Sequence, residues 1–353
     1  MRTGRILILR LSAIGDVLNA LPAAWALRAA HPRAHIAWLV EDKARDAVEG
    51  QPGIDEVIVF ERRRWTRGGP SGWAEALAWA RALRARRFDV SVDLQGNLKS
   101  AVMALLAGAP VRVSACPGST RDLAWIAANV HASLRARRQG RVWHHVDLLA
   151  PLGVTREAAA GAFHIAATSL ARMEAALAGV RRPRVLLHPG TSRFGAFKRW
   201  PARHFSDLAG RLQSTLRAEV LVGWGPGEED LAHAVVSGAP YGARVAPATG
   251  SLGDLAALLR CVDVFVGADS APLHLAGLVG TPAVGLFGPK DPAIYAPVLG
   301  ANEVLVQDLP CRPCGLRRCL WTAGSDEPSP CMDRLSPARV LDAVSRLLKV
   351  AGR

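Results

Sequence analysis

Arg5-Ile6-Leu7-Ile8-Leu9-Arg10-Leu11, followed at once by Ser12-Ala13-Ile14-Gly15-Asp16-Val17, reads as an apolar strand that runs out into a polar turn and then a helix. Continuous rather than alternating hydrophobicity marks a strand covered on both faces, which belongs in a parallel sheet flanked by helices. Asp16 then falls on the loop at the carboxyl end of a strand, where open α/β sheets hold their ligands. Far down the chain Val264-Phe265-Val266-Gly267 runs into Ala268-Asp269-Ser270-Ala271-Pro272-Leu273-His274, again a strand ending in polar groups at a helix start. Two such junctions predict two domains facing a central cleft.

Working outward, the apolar runs 36–40, 57–60, 90–94 and 111–113 alternate with Ala-, Leu- and Arg-rich segments, and the pattern restarts with runs at 184–187, 219–222, 262–266 and 283–287. Helical segments at 205–216, 230–236 and 252–259 lie between the later runs. The fold class expected is α/β, two Rossmann-like doubly wound units in series. The join is expected near residues 165–183, giving domains 1–167 and 168–353. A last helix over 337–350 places Val340, Leu341, Val344, Leu347 and Leu348 on one face and could pack on either domain. Gly68 to Gly72 reads as a flexible loop beside the basic run Arg62-Arg63-Arg64.

At 353 residues the chain exceeds one ordinary core, in keeping with two domains of roughly 150 to 180 residues. No uninterrupted apolar stretch of about 18 residues predicts a membrane-spanning helix, and no signal peptide is expected, so a cytoplasmic location with reduced thiols follows. The net charge of +14 suits nucleic acid, an anionic membrane surface or phosphorylated substrates. Nucleic acid is disfavoured, because no reader motif is present and only 6% of residues are aromatic. A dinucleotide oxidoreductase is disfavoured too, since the first turn lacks G-x-G-x-x-G.

Four constellations could carry chemistry. Asp16 could accept a proton from an attacking hydroxyl, or cap the helix that follows. His188-Pro189-Gly190-Thr191-Ser192 with Lys198-Arg199-Trp200-Pro201 offers backbone donors, hydroxyls and a cation for phosphate, or else forms an ordinary turn with a solvated lysine. Asp269-Ser270-Ala271-Pro272-Leu273-His274 fits a helix N-terminus that could bind an anion, with Asp269 suited to a ribose hydroxyl and His274 either ligand-facing or simply packed. Upstream, Glu228 in the loop 223–229 is also suited to a ribose. Cys311, Cys314, Cys319 and Cys331, spaced C-x2-C-x4-C-x11-C, either form a structural metal site or remain reduced thiols. Cys116 and Cys261 read as packing residues.

Together, S-x-I-G-D-V-L, H-P-G-T-S with K-x-W-P, and D-S-x-P-x-H-L resemble the bacterial lipopolysaccharide heptosyltransferases of glycosyltransferase family 9 over nearly the whole chain. The first-half pattern is nearest to the heptosyltransferase I branch. This resemblance implies a GT-B architecture and an inverting transfer of heptose from ADP-heptose to Kdo-lipid A or the inner core of lipopolysaccharide, with no cofactor and no obligatory metal. It implies that Asp16 is the general base and that Thr191, Ser192 and Lys198 hold the diphosphate. Glu228, Asp269, Ser270, Ala271 and His274 would contact nucleotide and heptose, while Arg63, Arg64, Lys99, Arg121 and His144 resemble basic acceptor-binding positions. It also implies peripheral association with the inner membrane surface. Relatives that add a second heptose or another sugar share the same motifs.

Overall fold

A computed structural model describes residues 4–136, 138–316, 318–322 and 328–350; the side chains of Arg62, Arg63, Thr66, Pro70, Arg193 and Phe194 lie outside that description. The chain divides into two compact units, residues 1–164 and 165–353. No helix among the described residues is long and apolar enough to cross a membrane.

The first unit holds strands β1 (Arg5–Leu9), β2 (His35–Glu41), β3 (Glu56–Phe60), β4 (Val90–Asp93), β5 (Val111–Ala115) and β6 (Val130–Ala132), and helices α1 (Ile14–Leu18), α2 (Leu21–Ala30), α3 (Arg62–Arg67), α4 (Gly69–Ala85), α5 (Leu98–Ala107) and α6 (Arg141–Asp147). All pairings are parallel, in the order β3-β2-β1-β4-β5-β6, with Leu7 of β1 level with Ala37 on one side and Ser91 on the other. Leu7, Leu9, Leu39 and Ile58 from the strands close on Leu83 of α4 and on Met103, Ala104 and Ala107 of α5. The order reverses between β1 and β4. The loops leaving those two strands therefore flank the switch point, where a crevice forms in a doubly wound sheet.

The second unit repeats this design with β7 (Arg184–His188), β8 (Glu219–Val222), β9 (Arg244–Val245), β10 (Val264–Ala268), β11 (Ala283–Phe287) and β12 (Asn302–Val306). Its helices are α7 (Ala167–Ala176), α8 (Ala202–Leu216), α9 (Glu229–Gly238), α10 (Leu252–Arg260), α11 (Ala271–Val279), α12 (Pro292–Tyr295), α13 (Pro330–Asp333) and α14 (Pro337–Val350). The parallel order β12-β11-β10-β7-β8-β9 puts the switch point between β7 and β10. The apolar face of α14 closes the core of this unit: Val340, Val344, Leu347 and Leu348 are buried in one cluster with Trp200, Phe205 and Leu208.

Two sequence expectations change. Gly68 to Gly72 is not a loop, because α3 and α4 meet at Gly68 and the helix resumes at Gly69. Close packing explains Gly72, where a Cβ would stand 2.4 Å from the Trp65 carbonyl oxygen, and a φ of +56° explains Gly69. The strands β6, β9 and β12 were absent from the apolar pattern, since two are very short and β12 is only half-buried along its length.

Phe205 is fully buried against Trp200. Phe205→Ala should therefore destabilise the second unit by about 3 to 5 kcal/mol in denaturant unfolding, and a loss under about 1 kcal/mol would mean the α8 face is not a packed core surface.

Candidate active site

Each unit carries a polar centre at its own switch point. In the first, Asp16 lies in the first turn of the five-residue α1, whose N-cap is Ala13 with no side-chain cap, so Asp16 does not act as the helix cap. Its carboxylate instead accepts from Arg10 at 3.0 Å and is 38% exposed, open to a ligand. Arg10 is buried and its other terminal nitrogen donates to the Leu94 carbonyl at 2.9 Å, which ties the loop after β1 to the loop after β4. Burial lowers the pKa of this guanidinium, and the Asp16 charge is the largest influence opposing that shift.

The β4 loop is built with similar care. The buried Asp93 carboxylate accepts from the Gln95 and Gly96 amides at 2.9 Å and from the Ser100 hydroxyl, while desolvation raises its pKa despite those bonds. Asn97 and Ser100 form a reciprocal capping box that starts α5. The Gln95 side chain accepts from the Leu11 and Ser12 amides at 2.7 and 3.2 Å.

Of the expected acceptor residues, Lys99 belongs to this centre. It donates to Ser12 Oγ at 3.2 Å and to Glu41 at 2.5 Å. Arg121 is exposed, and its amide donates to the Gly96 carbonyl at 2.7 Å. His144 differs from the expectation of a basic group. Burial first, then the charges of Arg141 and Arg10, push its pKa to about 4, so near neutrality it is an uncharged hydrogen-bonding group. Arg64 pairs with Glu61 and Glu75 on its own helical hairpin, at 3.2 and 2.9 Å. Arg63 lies outside the residues whose side chains are described.

In the second unit the loop after β7 carries Thr191, buried, and Ser192, exposed. Arg199, which the motif analysis passed over, fixes this loop: it donates to the Thr191 carbonyl at 2.7 Å and to Glu228 at 3.0 Å. Glu228 is thereby pinned rather than projecting freely from its loop. A Cβ at Gly190 would stand 1.9 Å from its carboxylate, so this position admits no side chain while Glu228 is in place. Trp200 anchors the far end of the segment by donating to the Leu335 carbonyl at 2.9 Å.

Lys198 bridges the two switch-point loops. Its ammonium donates to the Asp269 carboxylate at 2.8 Å and also to the Asp269 carbonyl. His274, one turn into α11, has Nε2 3.6 Å from the other carboxylate oxygen. Burial acts to raise the Asp269 pKa, but the nearby His274 and Lys198 outweigh it and hold the carboxyl below its usual range. Ser270 is the N-cap of α11 with no side-chain cap bond, and its buried hydroxyl has no partner among the described residues. His274 Nδ1 is likewise buried and unpartnered there. Pro272 has no amide hydrogen and the Leu273 amide donates to the Ser270 carbonyl at 3.1 Å, so this helix N-terminus leaves the Ala271 amide and the Ser270 hydroxyl for an incoming anion.

The four C-terminal cysteines border one cavity of about 170 Å³, walled by Phe197, Leu320 and Trp321. Cys331 is buried, which pushes its thiol up to about 11, whereas Cys311 and Cys314 are exposed. No group of three or more His, Cys, Asp or Glu among the described residues could hold a metal ion, so of the two alternatives the structural metal site finds no support there. Cys261 is buried, and Cys116 donates to the Ala132 carbonyl at 3.3 Å.

Two Rossmann-like doubly wound units in one chain are the architecture of the GT-B glycosyltransferases, and the second unit carries a buried Lys–Asp pair beside a helix start. The model of glycosyltransferase family 9 (heptosyltransferase) matches residues 76–322. Lipopolysaccharide heptosyltransferase 1 of Escherichia coli K12 is 29% identical over 306 residues, covering 85% of this chain and 92% of that protein. Lipopolysaccharide heptosyltransferase 3 of Escherichia coli is 27% identical over 291 residues, covering 80% and 83%. Among solved structures, Escherichia coli heptosyltransferase WaaC with ADP-2-deoxy-2-fluoro heptose superposes with a TM-score of 0.72 at 24% identity, covering 97% of this chain and 99% of that one. The chain belongs to glycosyltransferase family 9, and the protein is a glycosyltransferase.

His188 at the end of β7 is buried, with Nδ1 3.2 Å from the Gly190 carbonyl, and burial lowers its pKa to about 4. The unfolded chain takes up a proton near pH 6.5 while the folded chain resists it until about 4, so acid favours unfolding across that window. The cost approaches roughly 3 kcal/mol at the acid end. His188→Gln should lose less stability than the native chain on acidification in calorimetry, and an identical pH dependence would contradict a neutral buried His188.

Proposed function

We propose that the protein moves a heptose from ADP-heptose to the Kdo or inner-core region of lipopolysaccharide, by a single inverting displacement at the cytoplasmic face of the inner membrane. The observation that carries this reading is the second unit's switch point. There Lys198, the unpartnered Ser270 hydroxyl and the Ala271 amide at the first position of α11 gather in one place. That combination suits a diphosphate leaving group, because fixed donors in a partly dry site stabilise charge as it develops. Thr191 and Ser192 would hold the phosphates, Glu228 and Asp269 the ribose hydroxyls, and His274 the sugar or its phosphate.

In the transfer, an acceptor hydroxyl oxygen attacks the anomeric carbon, the bond from that carbon to the terminal phosphate oxygen of ADP breaks, and the hydroxyl proton passes to Asp16. Arg10 keeps the Asp16 carboxylate aimed. The sugar passes through an oxocarbenium-like state, which a nearby carboxylate also stabilises. Lys99 and Arg121 beside Ser12 and Gly96 would meet the anionic acceptor, with His144 as a neutral partner; Arg63 and Arg64 are further acceptor candidates on α3. The proposal requires Asp16 and the diphosphate cradle to act on one bound sugar.

Asp16→Asn should lower turnover about 100- to 10,000-fold with ADP affinity unchanged, and native turnover in that variant would remove Asp16 as base. Lys198→Ala should weaken ADP binding about tenfold or more in calorimetry, since a charge-assisted contact is lost; undiminished affinity would show that the lysine serves only Asp269. Mass spectrometry of product formed from ADP-heptose and Kdo-lipid A separates the readings of the substrate. Gain of one heptose supports first-heptose transfer. Reaction only with an already heptosylated core supports the second reading, later-heptose or other-sugar transfer, for which the similarity to heptosyltransferase 3 speaks.

A further inference from the structure

The helix α5, Leu98-Lys99-Ser100-Ala101-Val102-Met103-Ala104-Leu105-Leu106-Ala107, is apolar on nearly every face. Met103, Ala104 and Ala107 point into the core, and Lys99 is held by Glu41 and Ser12. The exposed positions within the helix are Leu98, Val102 and Leu105, spaced four and three apart and so aligned in one stripe. A helix on the surface of a soluble unit ordinarily turns charge toward water, and one apolar all round is ordinarily covered.

The neighbours of α5 extend the stripe. In α4, which packs beside it, Trp73 and Leu77 are exposed on one face, and the exposed Arg84 follows on the same face. Both helices return antiparallel to the sheet, and a Cβ at Gly108, just past α5, would stand 2.9 Å from the Arg84 guanidinium. The two helices thus run side by side with their C-terminal ends level, which brings Trp73 and Leu77 alongside the first turns of α5. On the other flank Ala101 of α5 packs with Ala124 and Ala127, and the segment 123–127 that carries those two exposes Leu123 and Ile126. These seven side chains are between 41% and 74% exposed.

We infer that this face docks on the surface of an anionic lipid bilayer. Charge complementarity selects the occupant. Residues 1–164 hold 23 Lys and Arg against 14 Asp and Glu, and from Arg62 to Arg87 eight arginines accompany one acid, Glu75. Arg67, Arg81, Arg84 and Arg121 are exposed on the elements that carry the apolar side chains or adjoin them. Apolar side chains entering the headgroup region beside cations that meet lipid phosphates is the arrangement of a peripheral membrane surface. A second copy docking symmetrically on this face would bring the same arginines against one another. The face also begins at the candidate site, because Leu98 adjoins Lys99 and the Gly96 loop contacts Arg121. An acceptor anchored in the bilayer would therefore present its sugar at the edge where the enzyme rests.

Sedimentation with vesicles of phosphatidylethanolamine and phosphatidylglycerol tests this without donor or acceptor, so its failure leaves the transfer reading standing and loss of transfer leaves the vesicle result standing. The native protein should bind these vesicles and not phosphatidylcholine vesicles. The doubly substituted Val102→Asp, Leu105→Asp chain should bind about tenfold or more weakly with an unchanged melting temperature, since both positions are exposed. Arg84→Gln should weaken binding and lessen its salt dependence. Equal binding by the double variant, or binding indifferent to lipid charge, overturns the inference. So does a native dimer that the double variant converts to monomer while vesicle binding stays the same, which would assign the face to a second copy.

Discussion

Asp269 is a carboxylate that the fold drives out of water at the end of β10, and it stays ionised because Lys198 and His274 are brought to it from two other places in the chain. A buried charge without a partner costs several kcal/mol, so this trio also fixes the positions of the segments that supply it. The loop after β7 must reach across to β10, and Arg199 and Trp200 clamp its remainder. The first unit solves the mirror-image problem. There the buried charge is the cation Arg10, and the carboxylate that balances it, Asp16, is left partly in water. In both units the charge balance sits at a strand reversal, where the sheet opens a gap that its own side chains do not fill.

The motifs and the α/β architecture were legible because they rest on local rules: uninterrupted apolar strands, polar turns after them, and a Ser-x-Pro start to a helix. What escaped was set by partners distant in sequence. Nothing around Arg10 says that it will hold Asp16, although an arginine at the end of a buried strand is itself a signal of a buried pair. Arg199 was hidden next to the more conspicuous Lys198, and its role depends on Glu228 arriving from another loop. The cysteine spacing left a metal site and reduced thiols open, since spacing alone does not fix where loop residues point, and here all four border one apolar cavity. His144 looked basic by residue type, while its charge is decided first by burial and then by Arg141 and Arg10. The glycines around residue 70 read as a loop because a close helix-to-helix junction and a flexible linker demand the same residue.

The apolar outer face of α5 illustrates a different kind of constraint. A helix that buries one side against a sheet needs only that side apolar, so leucines on the other side serve something besides folding. Its capping box and its ties to β1 make α5 a rigid platform, well suited to carrying such a surface beside a reactive loop.

The contact between Gly190 and Glu228 has an evolutionary reading. Because the Glu228 carboxylate occupies the space a methyl group would need, any residue other than glycine at 190 forces that carboxylate to shift, and its pairing with Arg199 is disturbed. Changes in this turn are coupled across three sites. A library that varies all three codons together explores this corner more fully than one that changes them singly.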